Sequence, residues 1–141
     1  MLDQASTGEP VAITAPTVME VVRGLQAGAA DRSGMAAALA WFVGLLASGL
    51  MDVLSLDRTA AILAGRLRAM QSIPPTGARR TGVKPEQRVG WVFDIQIAAC
   101  AWTHGHPIAT ENLRDFEALR DLIAKLYPDS SPLLVAPSPL A

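Results

Sequence analysis

Three acidic residues, Glu20, Asp94 and Asp115, stand where strand-like and helix-like segments meet, and acids at such places could bind a metal ion. In an open parallel sheet, sites form beyond the carboxyl ends of the strands, where the following helices begin. Carboxylates that converge there repel one another unless a divalent cation neutralises them. Oxygen ligands suit Mg²⁺ or Mn²⁺, and such ions can activate water to attack a phosphodiester. The pattern therefore indicates a candidate metal site with hydrolytic chemistry.

Each acid also has an ordinary structural explanation. Glu20 could be a solvated helix residue, and Asp94 could be the N-cap of the helix that follows it. Asp115 could be a first-turn acid that interacts favourably with the helix dipole. Spacing alone therefore favours the structural explanation over a metal site.

The apolar periodicity predicts strands and helices that alternate along the chain. The predicted strands cover residues 11–14, 51–56, 107–110 and 133–135. Three predicted helices cover residues 17–25, residues 58–71 with Asp57 as the cap, and residues 112–126. A further helix is predicted to begin after Asp31 or Ser33 and to end near Gly49, and another is predicted to begin at Asp94. This order favours an α/β fold in which helices cover a parallel sheet.

Composition is typical of one globular domain, which we expect over residues 1–135 with a flexible tail at residues 136–141. Half of the 141 residues are apolar and 18% are charged. The formal net charge of −1 does not indicate nucleic-acid binding, although a local basic patch could still bind RNA. Cys100 is the single cysteine, so no internal disulfide can form, which fits a reducing cytoplasm.

The segment between Arg32 and Asp52 contains no charged residue. A membrane-spanning helix needs about 20 predominantly apolar residues, and glycine and serine dilute this segment. We therefore expect a buried or dimer-packing helix, with a membrane anchor at residues 35–50 as the remote alternative. Trp41 in this segment and Trp102 further on are expected in the core or in a dimer contact.

A proline- and glycine-rich segment at residues 72–88 interrupts the periodic pattern and predicts a long basic loop. Its basic residues could contact RNA phosphates or could simply be solvated. These residues are Arg79, Arg80, Lys84 and Arg88. Trp91, just beyond this segment, is a candidate for stacking on a base.

Three segments carry recognisable motifs, namely VAITAPTVMEVVRGL at residues 11–25, FDIQIAACA at residues 93–101 and TENLRDF at residues 110–116. In this order along the chain, they resemble segments of the VapC-like branch of PIN-domain toxins. Residues 11–25, VAITAPTVMEVVRGL, resemble the second strand and the glutamate helix of those proteins. Residues 93–101, FDIQIAACA, resemble their aspartate helix. Residues 110–116, TENLRDF, resemble the Thr-x-Asn-x-x-Asp-Phe signature after their fourth strand. The resemblance extends over essentially the whole chain, to about Val135.

This resemblance implies a PIN-like three-layer sandwich and a metal-dependent endoribonuclease toxin that a partner antitoxin neutralises. It implies that Glu20, Asp94 and Asp115 bind Mg²⁺ or Mn²⁺, directly or through water. Thr110 and Asn112 match supporting polar positions that orient water or the carboxylates. The substrate would be RNA cut at exposed single-stranded loops, and we expect a homodimer in the cytoplasm. The alternative is a catalytically inactive PIN-like module that binds a protein or RNA partner.

The resemblance fails at the N-terminus, where the family has a first strand that ends in a catalytic aspartate. Asp3 lies too close to Val11 to leave room for a strand, a helix and a turn, so we expect it to be a surface residue. That strand is central in the family's sheet, and its absence would leave costly unpaired strand edges. The sequence leaves two explanations open: a natural product that starts upstream of Met1, or a degenerate and inactive relative.

Overall fold

In the computed structural model, residues 11–75 and 82–139 are described, and they form five helices and four short strands. The elements are β1 (Val11–Thr14), α1 (Ala15–Ala29), α2 (Ser33–Ala47), β2 (Met51–Leu54), α3 (Arg58–Met70), α4 (Pro85–Thr103), β3 (Ile108–Thr110), α5 (Leu113–Leu126) and β4 (Val135–Pro137). The predictions for Asp3, Arg79 and Arg80 lie outside the described residues.

The four strands form two parallel pairs, as the alternation of strands and helices predicts. β1 pairs with β2, so that Val11 lies opposite Met51 and Thr14 lies opposite Leu54. β3 pairs with β4, so that Ile108 lies opposite Val135. The fold class is therefore α/β with short parallel sheets, as expected from the sequence.

The chain divides into two compact units, Met1–Leu54 and Ser55–Ala141. In the first unit, α1 follows β1 directly, and the hydroxyl of Thr14 caps it by accepting a hydrogen bond from the Thr17 N–H at 3.4 Å. In α2, which contains no charged residue, Phe42 is buried whereas Trp41 is 67% exposed. The expectation that Trp41 belongs to the core is therefore wrong, and its role in a dimer contact stays a prediction.

In the second unit, helices α3, α4 and α5 share one apolar core. Its fully buried side chains include Leu63 and Leu67 from α3, Ile95 from α4, and Leu119 and Ile123 from α5. The spacing of four residues within α3 and within α5 places each pair on one helix face. The core therefore fixes the helix that carries Asp94 against the helix that carries Asp115.

Helix α4 begins at Pro85, so the prediction that Asp94 opens this helix is wrong. Proline is favourable at a helix start, and the Gln87 side chain accepts a hydrogen bond from the Lys84 N–H at 3.0 Å. Lys84 therefore stands at the N-cap, and Arg88 lies in the first turns of the helix rather than in a loop. Asp94 lies in the middle of α4.

Trp91 is only 1% exposed, and its indole N–H donates to the Gln71 carbonyl oxygen at 2.9 Å. The side chain is therefore a core residue that joins the end of α3 to α4. The hypothesis that Trp91 stacks on a base is wrong, because a buried ring has no face available to RNA.

Trp102 is half-buried near the end of α4, where its ring stacks on Tyr127 with centroids 5.0 Å apart. Its indole N–H donates to the Ser131 carbonyl oxygen at 2.9 Å. These contacts hold the end of α4 against the segment that leads into β4. That strand extends through Ala136 and Pro137, beyond the predicted domain boundary at Val135.

Among the described residues, no helix combines the length and the apolar character needed to cross a membrane. The helix α2 has 15 residues, which is below the span that a bilayer core requires.

Candidate metal centre

The end of β3 and the start of α5 place three predicted site residues next to each other. The N–H of Asn112 donates to the Thr110 hydroxyl at 2.9 Å, which tightens the turn between strand and helix. Asp115 follows in the first turn of α5 and is only 4% exposed. A carboxylate in the first turn of a helix interacts favourably with the helix dipole.

Asn112 joins this turn to α4 through its side-chain amide. The nitrogen Nδ2 donates to Asp115 Oδ2 at 3.0 Å and to Asp94 Oδ2 at 3.2 Å. Although Asn112 occupies the N-cap of α5, its side chain makes no capping hydrogen bond to that helix. Its amide therefore bridges two carboxylates that are separated by 21 positions in the sequence.

The environment of Asp94 raises its pKa to about 6. Burial is the largest cause, because the charged form loses water, and the neighbouring charge of Asp115 adds to it. The hydrogen bond from Asn112 acts in the opposite direction and lowers the pKa. Two close carboxylates, of which Asp94 has a raised pKa, form a site that a cation would stabilise.

Glu20 lies in α1, within the first unit, and is held by Arg23 one turn later. The Arg23 Nε donates to both carboxylate oxygens of Glu20 at 3.1 Å, and Nη2 makes a further short contact with Oε1. This hydrogen bonding by Arg23 lowers the pKa of Glu20. The participation of Glu20 in a metal site stays a prediction.

Arg23 was missed by the sequence analysis, although its i,i+3 spacing from Glu20 is a recognisable signal for an ion pair. Both side chains are substantially exposed, so the pair contributes little to stability. Arg23 instead keeps the Glu20 carboxylate ionised at this position of α1.

The residues at the Asp94–Asp115 pair fit a hard divalent cation. Carboxylate oxygens are the donor type that Mg²⁺ and Mn²⁺ prefer. Within residues 11–75 and 82–139, no group of three or more His, Cys, Asp or Glu side chains is placed to hold a metal ion. The described site is therefore a carboxylate pair, and water would complete the coordination shell.

Two of the four predicted RNA-binding residues fall within the described part of the chain. Lys84 and Arg88 are both exposed at the start of α4. Arg88 shares that helix with Asp94, whereas Lys84 is its N-cap, and both side chains are accessible to solvent. Their contact with RNA stays a prediction.

Comparison with solved structures identifies a similar fold in a DNA-bound VapBC complex from Salmonella typhimurium. The match has 25% sequence identity and a TM-score of 0.56, and it covers 89% of this chain and 74% of the other. No protein-family model matches the sequence. No curated protein matches it either. The structural match supports the resemblance found in the sequence: the chain resembles VapC-like PIN proteins and has a PIN-like α/β fold.

Proposed function

We propose that this protein is a metal-dependent endoribonuclease, the toxin of a toxin–antitoxin pair. The observation that carries the proposal is the approach of Asp94 and Asp115, which Asn112 bridges within a VapC-like fold. Two close carboxylates repel each other, and such perturbed pairs cluster at functional sites. Cation binding followed by phosphodiester hydrolysis is a function that fits the fold and the carboxylate ligands.

In this mechanism the protein supplies a negatively charged, partly buried binding site for Mg²⁺ or Mn²⁺. The bound cation would lower the pKa of a water molecule and neutralise charge that develops on the phosphate. Asp115, fixed in the first turn of α5, and Asp94, fixed by the core around α4, would hold the cation. Thr110 keeps the turn in place, and Glu20 is the proposed third acid.

The partners belong to the same proposal. The similar solved structure is a VapBC complex, which supports an antitoxin as the binding partner of this chain. RNA would be the substrate, with Lys84 and Arg88 as candidate phosphate contacts and single-stranded loops as the cleaved regions. We further propose that the protein acts as a homodimer in the cytoplasm.

Cleavage of a labelled single-stranded RNA with Mn²⁺, with and without a chelator, tests this function. We expect cleavage that requires the metal and that falls at least about 100-fold in Asp94→Asn, which keeps the side-chain size but removes the charge. Asp121→Asn is the matched control, because Asp121 is an exposed acid on α5 that pairs with Arg120 instead. Metal-independent cleavage, or equal loss in both variants, would contradict the proposed mechanism.

A catalytically inactive module that binds a protein or RNA is the second candidate function. One observation favours it, namely that only two carboxylates come together among the described residues. A folded chain that binds RNA or an antitoxin but shows no cleavage with Mn²⁺ would establish this alternative. Equal RNA affinity of the parent chain and Asp94→Asn would then show that the carboxylate pair does not contribute to RNA binding.

A further inference from the structure

The Asn112 amide lies where a cation shared by Asp94 and Asp115 would bind. Its Nδ2 is 3.2 Å from Asp94 Oδ2 and 3.0 Å from Asp115 Oδ2, so the two amide protons can serve one carboxylate each. We propose that in the metal-free protein this amide substitutes for the cation, and that cation binding displaces it from the carboxylate pair. The inference rests on the proposed function, because it concerns the same metal site.

The exchange follows from the chemistry of the ligands. Mg²⁺ binds carboxylate oxygens at about 2.1 Å in a near-octahedral shell of oxygen atoms. An amide N–H carries a partial positive charge and has no lone pair to offer, so Nδ2 cannot coordinate the ion. The hydrogen bonds from Nδ2 and the bonds to a shared cation therefore compete for the same carboxylate oxygens.

The backbone around Asn112 allows this displacement without unfolding of the helix. The side chain makes no capping bond to α5, so its rotation leaves the hydrogen bonds of that helix intact. The backbone N–H of Asn112 is held separately by the Thr110 hydroxyl at 2.9 Å. A change of side-chain rotamer is therefore sufficient to expose the carboxylate pair.

An opposite role for the same residue makes the inference testable. If the amide instead turned over and presented Oδ1 to the ion, Asn112 would be a metal ligand. Removing a ligand weakens metal binding, whereas removing a competing donor strengthens it. The Mn²⁺ affinity of Asn112→Ala therefore has a different sign in the two cases.

The experiment measures Mn²⁺ binding by calorimetry at pH 8 and thermal unfolding in chelator, using the full chain and Asn112→Ala. We expect Asn112→Ala to bind Mn²⁺ about three- to tenfold more tightly, because two charge-assisted hydrogen bonds no longer have to be broken. We expect its Tm in chelator to fall by about 2–6 °C, because each carboxylate loses the hydrogen bond from Asn112. Gln71→Ala is the matched control, since its amide donates to the Ile73 carbonyl oxygen and not to a carboxylate.

Asn112→Asp provides a second variant in case the alanine variant folds poorly. A third carboxylate should lower the Tm in chelator further, and Mn²⁺ should recover more of this Tm than it does in the parent chain. In the parent chain, NMR should show the Asn112 side-chain amide protons moving upfield as Mg²⁺ saturates the site, because they leave their carboxylate acceptors. A downfield movement would identify Asn112 as a ligand through Oδ1 and would overturn the inference.

The outcomes separate this inference from the proposed function. Weaker or unchanged Mn²⁺ binding by Asn112→Ala overturns the displacement and leaves the nuclease proposal intact. Tighter binding without any RNA cleavage supports the displacement while the nuclease proposal fails. If the parent chain binds no Mn²⁺, both proposals are wrong.

Discussion

The ionisation of Asp94 would couple the proposed cation binding at this site to the release of a proton. Burial and the charge of Asp115 raise its pKa to about 6, so the carboxyl is largely neutral at pH 5 in the metal-free protein. A cation needs the charged form and must therefore release this proton when it binds. We expect Mn²⁺ affinity to be nearly constant above pH 7 and to fall about tenfold per pH unit below about pH 6.

Calorimetry in buffers of different ionisation enthalpy measures this proton release directly. We expect about one proton per Mn²⁺ near pH 5 and almost none at pH 8. Asp121→Asn should show the same profile as the parent chain, because Asp121 lies outside the pair. A proton release that does not change between pH 5 and pH 8 would show that Asp94 does not titrate in this range or does not bind the cation.

The raised pKa of Asp94 also makes the stability of the metal-free protein depend on pH. The folded pKa of Asp94 lies above the ordinary value of 3.8, so the folded state holds this proton more tightly than the unfolded state. Its contribution to stability is therefore fully present below about pH 4 and is lost as the pH rises to about 6. Neutralisation of the pair by a cation would restore stability above pH 6, where the repulsion is strongest.

At the scale of the helices, sequence patterns predicted the start of α5 but misplaced the start of α4. The motif at residues 110–116 predicted the start of α5 and the positions of Asn112 and Asp115, because capping and turn signals are local. The start of α4 was missed because Gly90 and the basic residues of this segment hid its helical pattern. Pro85 followed by Glu86 and Gln87 is nevertheless a helix-start signal, and the structure uses it.

The contacts of Asn112 could not be predicted from local patterns. The Asn112–Asp94 hydrogen bond joins residues 18 positions apart, and it depends on how the core packs α4 against α5. The burial of Trp91 has the same origin, since its hydrogen bond to Gln71 joins residues 20 positions apart. Periodicity predicts which face of a helix is apolar, whereas these partners depend on the tertiary structure.

Asp57 gives a test of how α3 is held. Its Oδ1 accepts a hydrogen bond from the Ala60 N–H at 3.0 Å, which confirms the predicted cap, and its Oδ2 lies 3.5 Å from His104 Nε2. We expect Asp57→Ala to lower the free energy of unfolding by about 1 kcal/mol, because a cap is lost. Urea denaturation measures this change.

The control for this prediction is Asp57→Ser, which keeps a capping oxygen and should retain most of the stability. Mn²⁺ affinity should be unchanged in both variants, since neither alters the carboxylate pair. A loss of Mn²⁺ binding in Asp57→Ala would show that the start of α3 and the metal centre are coupled.

At the scale of the whole molecule, the helix α2 is the feature that best supports the proposed homodimer. It contains no charged residue, and it exposes Trp41 and Val43 at 67% and 50%. A large exposed apolar surface of this kind is typical of protein interfaces, where tryptophan often contributes much of the binding energy. The sequence predicted the apolar helix, but the periodicity could not show which of its residues would be exposed, because apolar residues occur on every side.

Trp41→Glu tests whether α2 forms the dimer contact. Placing a charge in an apolar interface leaves it desolvated and unpaired, so we expect the dissociation constant of the dimer to rise at least about 100-fold. Sedimentation equilibrium over a range of protein concentrations measures this change. Ile62→Glu is the matched control, because Ile62 is 51% exposed on α3, outside this helix. A parent chain that stays monomeric at all concentrations, or equal weakening in both variants, would contradict a dimer built on α2.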